Sequence, residues 1–285
     1  MAKKKNPLVT ASTVLPLAIG LAMNAVGPST KPAASMTAEV TERAKTKACV
    51  TGLDSCPITG CASTDDPDEQ LVNETKRHLP TATAAKVLTL NDFTTLQNQA
   101  DSTVGEKQPL DASARAQLQN ILVSSGQTVS EGDLVQVDGF LVGKPHPNTG
   151  ESVNCNLTGA ANNDFHIPFA DDPDKSPFEG IVVEMIPQNR PAAWTVKNLS
   201  KVENARFKVR VTGQLMYDNM HEVNGNQDEP LNGQPPRFSL FEVHPIVTFS
   251  VCPQADGACG SNDWISLEAF SSGTASASGR GTTGP

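Results

Sequence analysis

The order of apolar patterns between residues 128 and 252 constrains the fold of this chain more than any other feature. Strand-like patterns occupy 134–142, 165–169 and 181–186, a helical period follows at 194–202, and strand patterns return at 207–212 and 241–251. Ten of the thirteen aromatic residues fall in this segment. The order strand, strand, strand, helix, strand, strand predicts a mainly β fold, an OB-like five-stranded barrel.

Two glycines favour a closed barrel over a β-sandwich, which usually needs about seven strands. Gly139 and Gly213 each interrupt a strand within the same spacing of apolar residues, at 135–141 and 209–215. A small closed barrel must bend its strands sharply, and glycine tolerates the bulge that such a bend requires. We therefore expect both strands to bend at these glycines.

Residues 1–35 read as a secretory signal. Three lysines at 3–5 precede an uncharged, mostly apolar stretch at 7–26, and no acidic residue occurs before Glu39. The cut is expected after Ser35, and sites near Ala25 are the alternatives. A retained membrane anchor is the alternative, because the stretch approaches the ~20 residues that a span needs; Pro16 and Asn24 weaken it. Removal of the signal would leave no membrane span.

The rest of the chain divides into three parts. Residues 36–127 are expected to form a Cys-containing helical leader that packs on the barrel, with helices at 68–78, 91–99 and 112–122, the last capped by Asp111. Residues 128–252 form the barrel. Residues 253–285 are expected to be a low-complexity, disordered tail, since Ser, Gly and Thr bury too little apolar surface to offset the entropy of ordering.

An even number of cysteines in an exported chain predicts disulfides. The six candidates are Cys49, Cys56, Cys61, Cys155, Cys252 and Cys259. Spacing does not choose among 15 pairings; we expect Cys155 with Cys252, and Cys252 with Cys259 is the rival. Zinc ligation is disfavoured because no second ligand pair matches Cys56 and Cys61.

The acidic balance argues against nucleic acid as a partner. The formal net charge is −9, and the loss of four lysines with the signal would make it −13. Residues 128–252 hold 16 acidic and 9 basic residues. This excess of negative charge repels a phosphate backbone.

Several short motifs resemble a family of exported bacterial proteins of unknown function. They are Asn154-Cys155, Asp164-Phe165-His166, Val182-Val183-Glu184, Arg190-Pro191, the segment 209–213, Tyr217-Asp218-x-x-His221 and Phe241-Glu242-Val243-His244-Pro245-Ile246. The family's last motif usually reads Trp-Glu-Ile-His-Pro-Val, and Phe241 here replaces the Trp. The resemblance covers roughly residues 45–252. The resemblance implies an exported β-barrel. The family has no established activity, so no catalytic residue is transferred from it.

Polar residues that alternate with core positions are the candidate ligand-binding set. Strand alternation places them on the face away from the apolar side chains, and the second and third strands of an OB-like barrel usually form the ligand platform. The candidates are Asp164, His166, Glu184, Arg210, Asp218, His221, Glu242 and His244.

Two functions are compatible with this set. We expect a secreted or periplasmic, non-enzymatic binding or envelope-associated module without a cofactor, whose ligand is a small molecule, a glycan or a protein. The alternative is a metal-dependent hydrolase that uses zinc held by His166, His221 and His244. No His-Glu-x-x-His, Gly-x-Ser-x-Gly or phosphate-binding loop occurs in the sequence. Hydrogen-bonded histidines and cross-strand ion pairs, such as Arg210 with Asp138 or Glu184, are the simplest structural explanation.

Overall fold

The computed structural model describes residues 47–105, 108–223, 236–254 and 257–273, so the predicted signal at 1–35 lies outside the described residues. The strands are β1 (Lys86–Leu88), β2 (Ile121–Leu122), β3 (Thr128–Val129), β4 (Leu134–Leu141), β5 (His146–Pro147), β6 (Phe165–Ala170), β7 (Ile181–Met185), β8 (Lys208–Tyr217), β9 (Phe241–Cys252) and β10 (Ile265–Ser266). The helices are α1 (Pro67–Arg77), α2 (Leu90–Thr103), α3 (Ala112–Arg115), α4 (Val196–Asn204) and α5 (Leu267–Ser272).

Five of these strands form a closed barrel. β4 pairs antiparallel with both β6 and β8, β6 pairs with β7, and β9 joins β8 antiparallel and β7 parallel. Helix α4 lies in the chain between β7 and β8. The predicted mainly β, OB-like five-stranded fold is therefore confirmed, with the predicted order of strands and helix.

Gly139 and Gly213 lie where the barrel closes. β4 pairs with β8 up to Gly139 and with β6 from the next residue onward, so the strand changes partner at this glycine. The pairing of β8 with β9 shifts register on both sides of Gly213. A Cβ at Gly213 would collide with Pro245 O and lie 2.9 Å from Ile246 Cα, so the backbones approach more closely than any side chain permits.

The leader shares the hydrophobic core of the barrel. Phe93 and Leu96 of α2 are fully buried in the same cluster as Val137 of β4 and Phe249 of β9. β1 also adds to the sheet, because it pairs in parallel with β4. The leader therefore contributes to the folding of the barrel.

The third predicted leader helix is much shorter than expected. Asp111 does cap it, accepting a hydrogen bond from Ala114 N, but α3 ends at Arg115 and a short 3-10 turn continues only to Leu118. Asn120 then adopts a left-handed conformation (φ 56°). The apolar residue Ile121, predicted on the helix, instead pairs with Val129 in a β-hairpin, where both side chains are buried.

All six cysteines form disulfides, but the expected pairing of Cys155 with Cys252 is wrong. The pairs are Cys49–Cys61, Cys56–Cys155 and the rival pair Cys252–Cys259. Cys155 lies against the leader, in a small apolar cluster with Cys56 and Leu157. Cys252 ends β9, opposite Lys208 of β8, and bonds to Cys259.

The prediction of a disordered tail from residue 253 is wrong for its first part, because regular structure continues to Ser272. Residues 257–273 contain β10, which pairs with β9, and α5, whose Leu267 is buried in the core. Residues 274–285 lie outside the described residues. Among the helices of the described ranges, none is long and apolar enough to cross a membrane.

Replacement of Gly213 by alanine tests the closure of the barrel. The added Cβ has to displace the backbone of β9 at Pro245 and Ile246. We expect Gly213→Ala to lower the free energy of unfolding by about 1–3 kcal/mol, as overpacking does. Chemical denaturation of the oxidised protein measures the change.

Gly52→Ala is the matched control, since a Cβ at Gly52 meets no atom within 4 Å and the backbone there is extended (φ −164°). Equal stability of the two variants would show that closure does not require a glycine at position 213.

Candidate functional site

The polar residues opposite the barrel core are buried, not solvent-exposed. Phe165, Ile167 and Phe169 of β6 face the core, yet every residue of this strand is buried. Sheet register brings the polar residues together: His166 lies opposite Glu184 on β7, and Val183 pairs in parallel with Val243, so Glu184 and His244 become neighbours. Helix α1 and the segment around Glu151 lie against this polar face.

The site contains five carboxylates, three histidines and two permanent cations, which we call the buried cluster: Glu151, Asp164, Glu184, Asp218, Glu242, His166, His221, His244, Lys76 and Arg237. All except Glu151 are less than 9% exposed.

His244 is oriented by a chain of charged partners. Its Nδ1–H donates to Glu242 Oε1 at 2.9 Å, and Arg237 Nη1 donates to Glu242 Oε2 at 2.9 Å. Nε2 of His244 can bind a metal ion only in the neutral form with the proton on Nδ1, so an ion would have to displace the Nε2 proton that the raised pKa of His244 favours. Carboxylate–histidine pairs of this kind orient the ligands of metal sites.

One carboxylate oxygen of Asp164 and one of Glu184 lie close to the ring nitrogens of this histidine. Asp164 Oδ1 accepts a hydrogen bond from Asn154 Nδ2 at 3.0 Å, whereas Asp164 Oδ2 lies 3.6 Å from His244 Nε2. Glu184 Oε2 lies 3.2 Å from His244 Nδ1. Within the described part of the chain, Asp164 Oδ2, His244 Nε2 and both Glu184 oxygens are buried without a hydrogen-bond partner.

One donor atom from each of Asp164, Glu184 and His244 lies within 4.8 Å of the other two. In the described ranges, the other group of three potential metal ligands that lie this close together consists of cysteines in disulfides. The three histidines predicted as a zinc alternative, His166, His221 and His244, are not among the groups that converge in this way in the described ranges. The rings of His166 and His221 meet edge to face with centroids 6.2 Å apart.

A second part of the cluster connects the leader to the barrel. Lys76 Nζ of α1 lies 2.6 Å from Asp218 Oδ2, and His221 Nε2 lies 3.3 Å from the same oxygen. Burial by itself would lower the pKa of Lys76, but Asp218 and the other carboxylates raise it well above its ordinary value. Burial would raise the pKa of Asp218, yet Lys76 and His221 hold it well below its usual range.

The excess of negative charge shifts the pKa values of the potential ligands. Burial and the nearby Glu151 raise the pKa of Asp164 to about 7. Burial would lower the pKa of His244, but Glu184, Glu242 and Asp164 raise it to about 9. Burial would raise the pKa of Glu184, but His166, His244 and Lys76 hold it well below its ordinary value.

Seven of the eight predicted site residues belong to the cluster, and Arg210 does not. Its guanidinium forms two hydrogen bonds of 2.7 Å to Asp138 on the neighbouring strand and stacks over Trp264. The predicted cross-strand pair of Arg210 with Asp138 is thus confirmed. Arg210 therefore lies outside the candidate site.

Sequence patterns missed Lys76, Glu151 and Arg237. Lys76 shares the buried face of α1 with Val72 and Asn73, a largely polar face that a search for apolar stripes does not detect. Glu151 and Arg237 lie outside regular elements, where no periodicity indicates burial.

Comparisons with protein-family profiles, with curated protein sequences and with solved structures each found no match. The functional argument therefore depends on the geometry and charge of the buried cluster.

Replacement of Lys76 by methionine tests the ion pair that connects α1 to the barrel. The change leaves Asp218 buried without its cation, so we expect Lys76→Met to cost about 3–5 kcal/mol of unfolding free energy. Lys175→Met is the control, because the Lys175–Asp171 pair is exposed (37% and 51%) and such pairs contribute ~0–1 kcal/mol.

The cost of Lys76→Met should also depend on pH. Because the pKa of Asp218 is depressed, its contribution is complete above the ordinary pKa of ~3.9 and is lost as the pH falls through the folded-state value. Denaturation curves between neutral and acidic pH should converge for wild type and variant. Equal stability of Lys76→Met and Lys175→Met at neutral pH would contradict a stabilising pair.

Proposed function

We propose that the protein is an exported, non-enzymatic binding module that holds one divalent metal ion of the zinc class between Asp164, Glu184 and His244. The observation that carries the proposal is the convergence of one donor atom from each of these three buried residues within 4.8 Å. Asp164 Oδ2, His244 Nε2 and both Glu184 oxygens have no hydrogen-bond partner among the described residues. Buried polar atoms are normally satisfied, so such a group needs an explanation.

The chemistry of the donors supports a metal ion. Imidazole nitrogen and carboxylate oxygen are ordinary zinc ligands. Zinc takes such ligands at ~2.0–2.2 Å. A divalent cation would also offset the negative charge that Asp164, Glu184 and the neighbouring carboxylates bring into this buried site.

The surroundings of the three donors resemble the outer shell of a metal site. Glu242 accepts the Nδ1 proton of His244 and is itself held by Arg237. Asn154 occupies one oxygen of Asp164, and Gln188 donates to Asn154 at 3.0 Å. These contacts fix ligand orientation before an ion binds.

Burial favours a binding role over hydrolysis. Asp164, Glu184 and His244 are each 0% exposed, so a peptide or glycan substrate would not reach an ion held between them. The three disulfides support export, since such bonds persist in oxidising compartments.

Titration of the chelator-treated protein with Zn²⁺ tests the proposal. We expect one ion per chain in the wild type. Asp164→Asn and His244→Ala should weaken binding by more than the 10–100-fold that loss of an outer-shell partner costs, and Glu242→Gln should fall within that range. At 100 times the dissociation constant, Zn²⁺ should stabilise the wild type by about 2.7 kcal/mol.

Asp138→Asn is the matched control, because this carboxylate lies on a strand of the same barrel but pairs with Arg210 outside the cluster. Circular dichroism verifies that each variant is folded. Wild-type Zn²⁺ affinity in folded Asp164→Asn and His244→Ala proteins would refute the proposed site.

A further inference from the structure

An ion that binds at a fully buried site must first pass through the protein surface. The buried cluster contains donor residues that the site formed by Asp164, Glu184 and His244 does not use. They are His166, His221 and Glu151, and a further histidine, His146, contacts His166 from outside the cluster.

These residues form a continuous series of contacts. The ring centroids of His146 and His166 lie 5.6 Å apart, and those of His166 and His221 lie 6.2 Å apart. His166 Nε2 lies 3.9 Å from Glu151 Oε1 and 2.9 Å from Glu184 Oε1. Glu184 thus joins the series to the proposed metal site.

Exposure falls from the outer residues of the series, His146, Glu151 and His221, through His166 to Glu184. His146 is partly exposed. The side chains of Glu151 and His221 are 14% and 10% exposed, that of His166 is 2% exposed, and that of Glu184 is 0% exposed. The donors therefore extend from the surface to the interior.

Several atoms along this series are unsatisfied within the described residues. Glu151 Oε2, His166 Nε2 and both ring nitrogens of His221 are buried without hydrogen-bond partners. His166 Nε2 is at ion-pair distance from Glu184, but the two groups are not aligned as a hydrogen bond. Lys76, the neighbouring cation, is paired with Asp218 at 2.6 Å.

We propose that His146, Glu151, His166 and His221 form an uptake path that passes a divalent metal ion from the surface to Glu184 and so to the buried site. This inference rests on the proposed function. The path donors are not among the groups of three that converge within 4.8 Å in the described ranges. They hold an ion less tightly than the inner set does, which permits transfer inward.

Stopped-flow uptake of Co²⁺ by the chelator-treated full chain tests the path, with the visible absorption of bound Co²⁺ as the signal. A path residue changes the barrier but not the bound state. His221→Ala should therefore slow uptake, and release to excess chelator, by the same factor. We expect about tenfold, the lower end of what loss of a partner around a metal site costs, at unchanged equilibrium affinity.

His78→Ala is the matched control, because His78 is exposed at the end of α1 and makes no contact with the series in the described structure. Its rates should equal those of the wild type. His221→Gln, which keeps the size of the side chain, replaces His221→Ala if the alanine variant does not fold.

The outcomes separate the two proposals. Unchanged rates in a folded His221 variant that binds Co²⁺ normally would overturn the uptake path and leave the metal site intact. A loss of affinity without slower uptake would also overturn it, because the residue would then be a ligand. A wild-type protein that takes up no Co²⁺ would contradict the proposed function itself.

Discussion

Closure of the barrel is the constraint on which the remaining structure depends. The first barrel strand has to leave β8 and join β6 at Gly139, and β8 has to bulge against β9 at Gly213. Closure places β6, β7 and β9 side by side, so that Glu184 of the middle strand lies next to His166 on one side and His244 on the other. The cluster of His166, Glu184 and His244 is a direct consequence of this pairing register.

Burial of the cluster destabilises the folded state, because ionised groups lose hydration when they are buried. Ion pairs such as Lys76–Asp218 and Arg237–Glu242 offset part of that loss. Asp164 is compensated less completely, since its Oδ2 has no hydrogen-bond partner within the described residues and burial raises its pKa to about 7.

The leader completes the cluster as well as the core. Lys76 reaches the polar face from α1, and the Cys56–Cys155 disulfide joins the leader to the residue beside Asn154, which donates to Asp164. The segment that sequence patterns treat as an accessory therefore supplies both a cation and a covalent connection to the site. Such a dependence also explains why the polar face of β6 is buried although strand alternation predicts an exposed one.

Local patterns by themselves determined the order of strands and helix, the two glycine bends and the polar positions at Asp164, His166, Glu184, Glu242 and His244, since each depends on periodicity within one segment. Only the tertiary structure decided which of these residues meet. It excluded Arg210, which pairs with Asp138 on the neighbouring strand, and it added Lys76 and Arg237. It also selected the partners of Cys155 and Cys252. The physical reason is that donor distances, burial and disulfide pairing are set by contacts between segments far apart in the chain, which periodicity within a single segment does not encode.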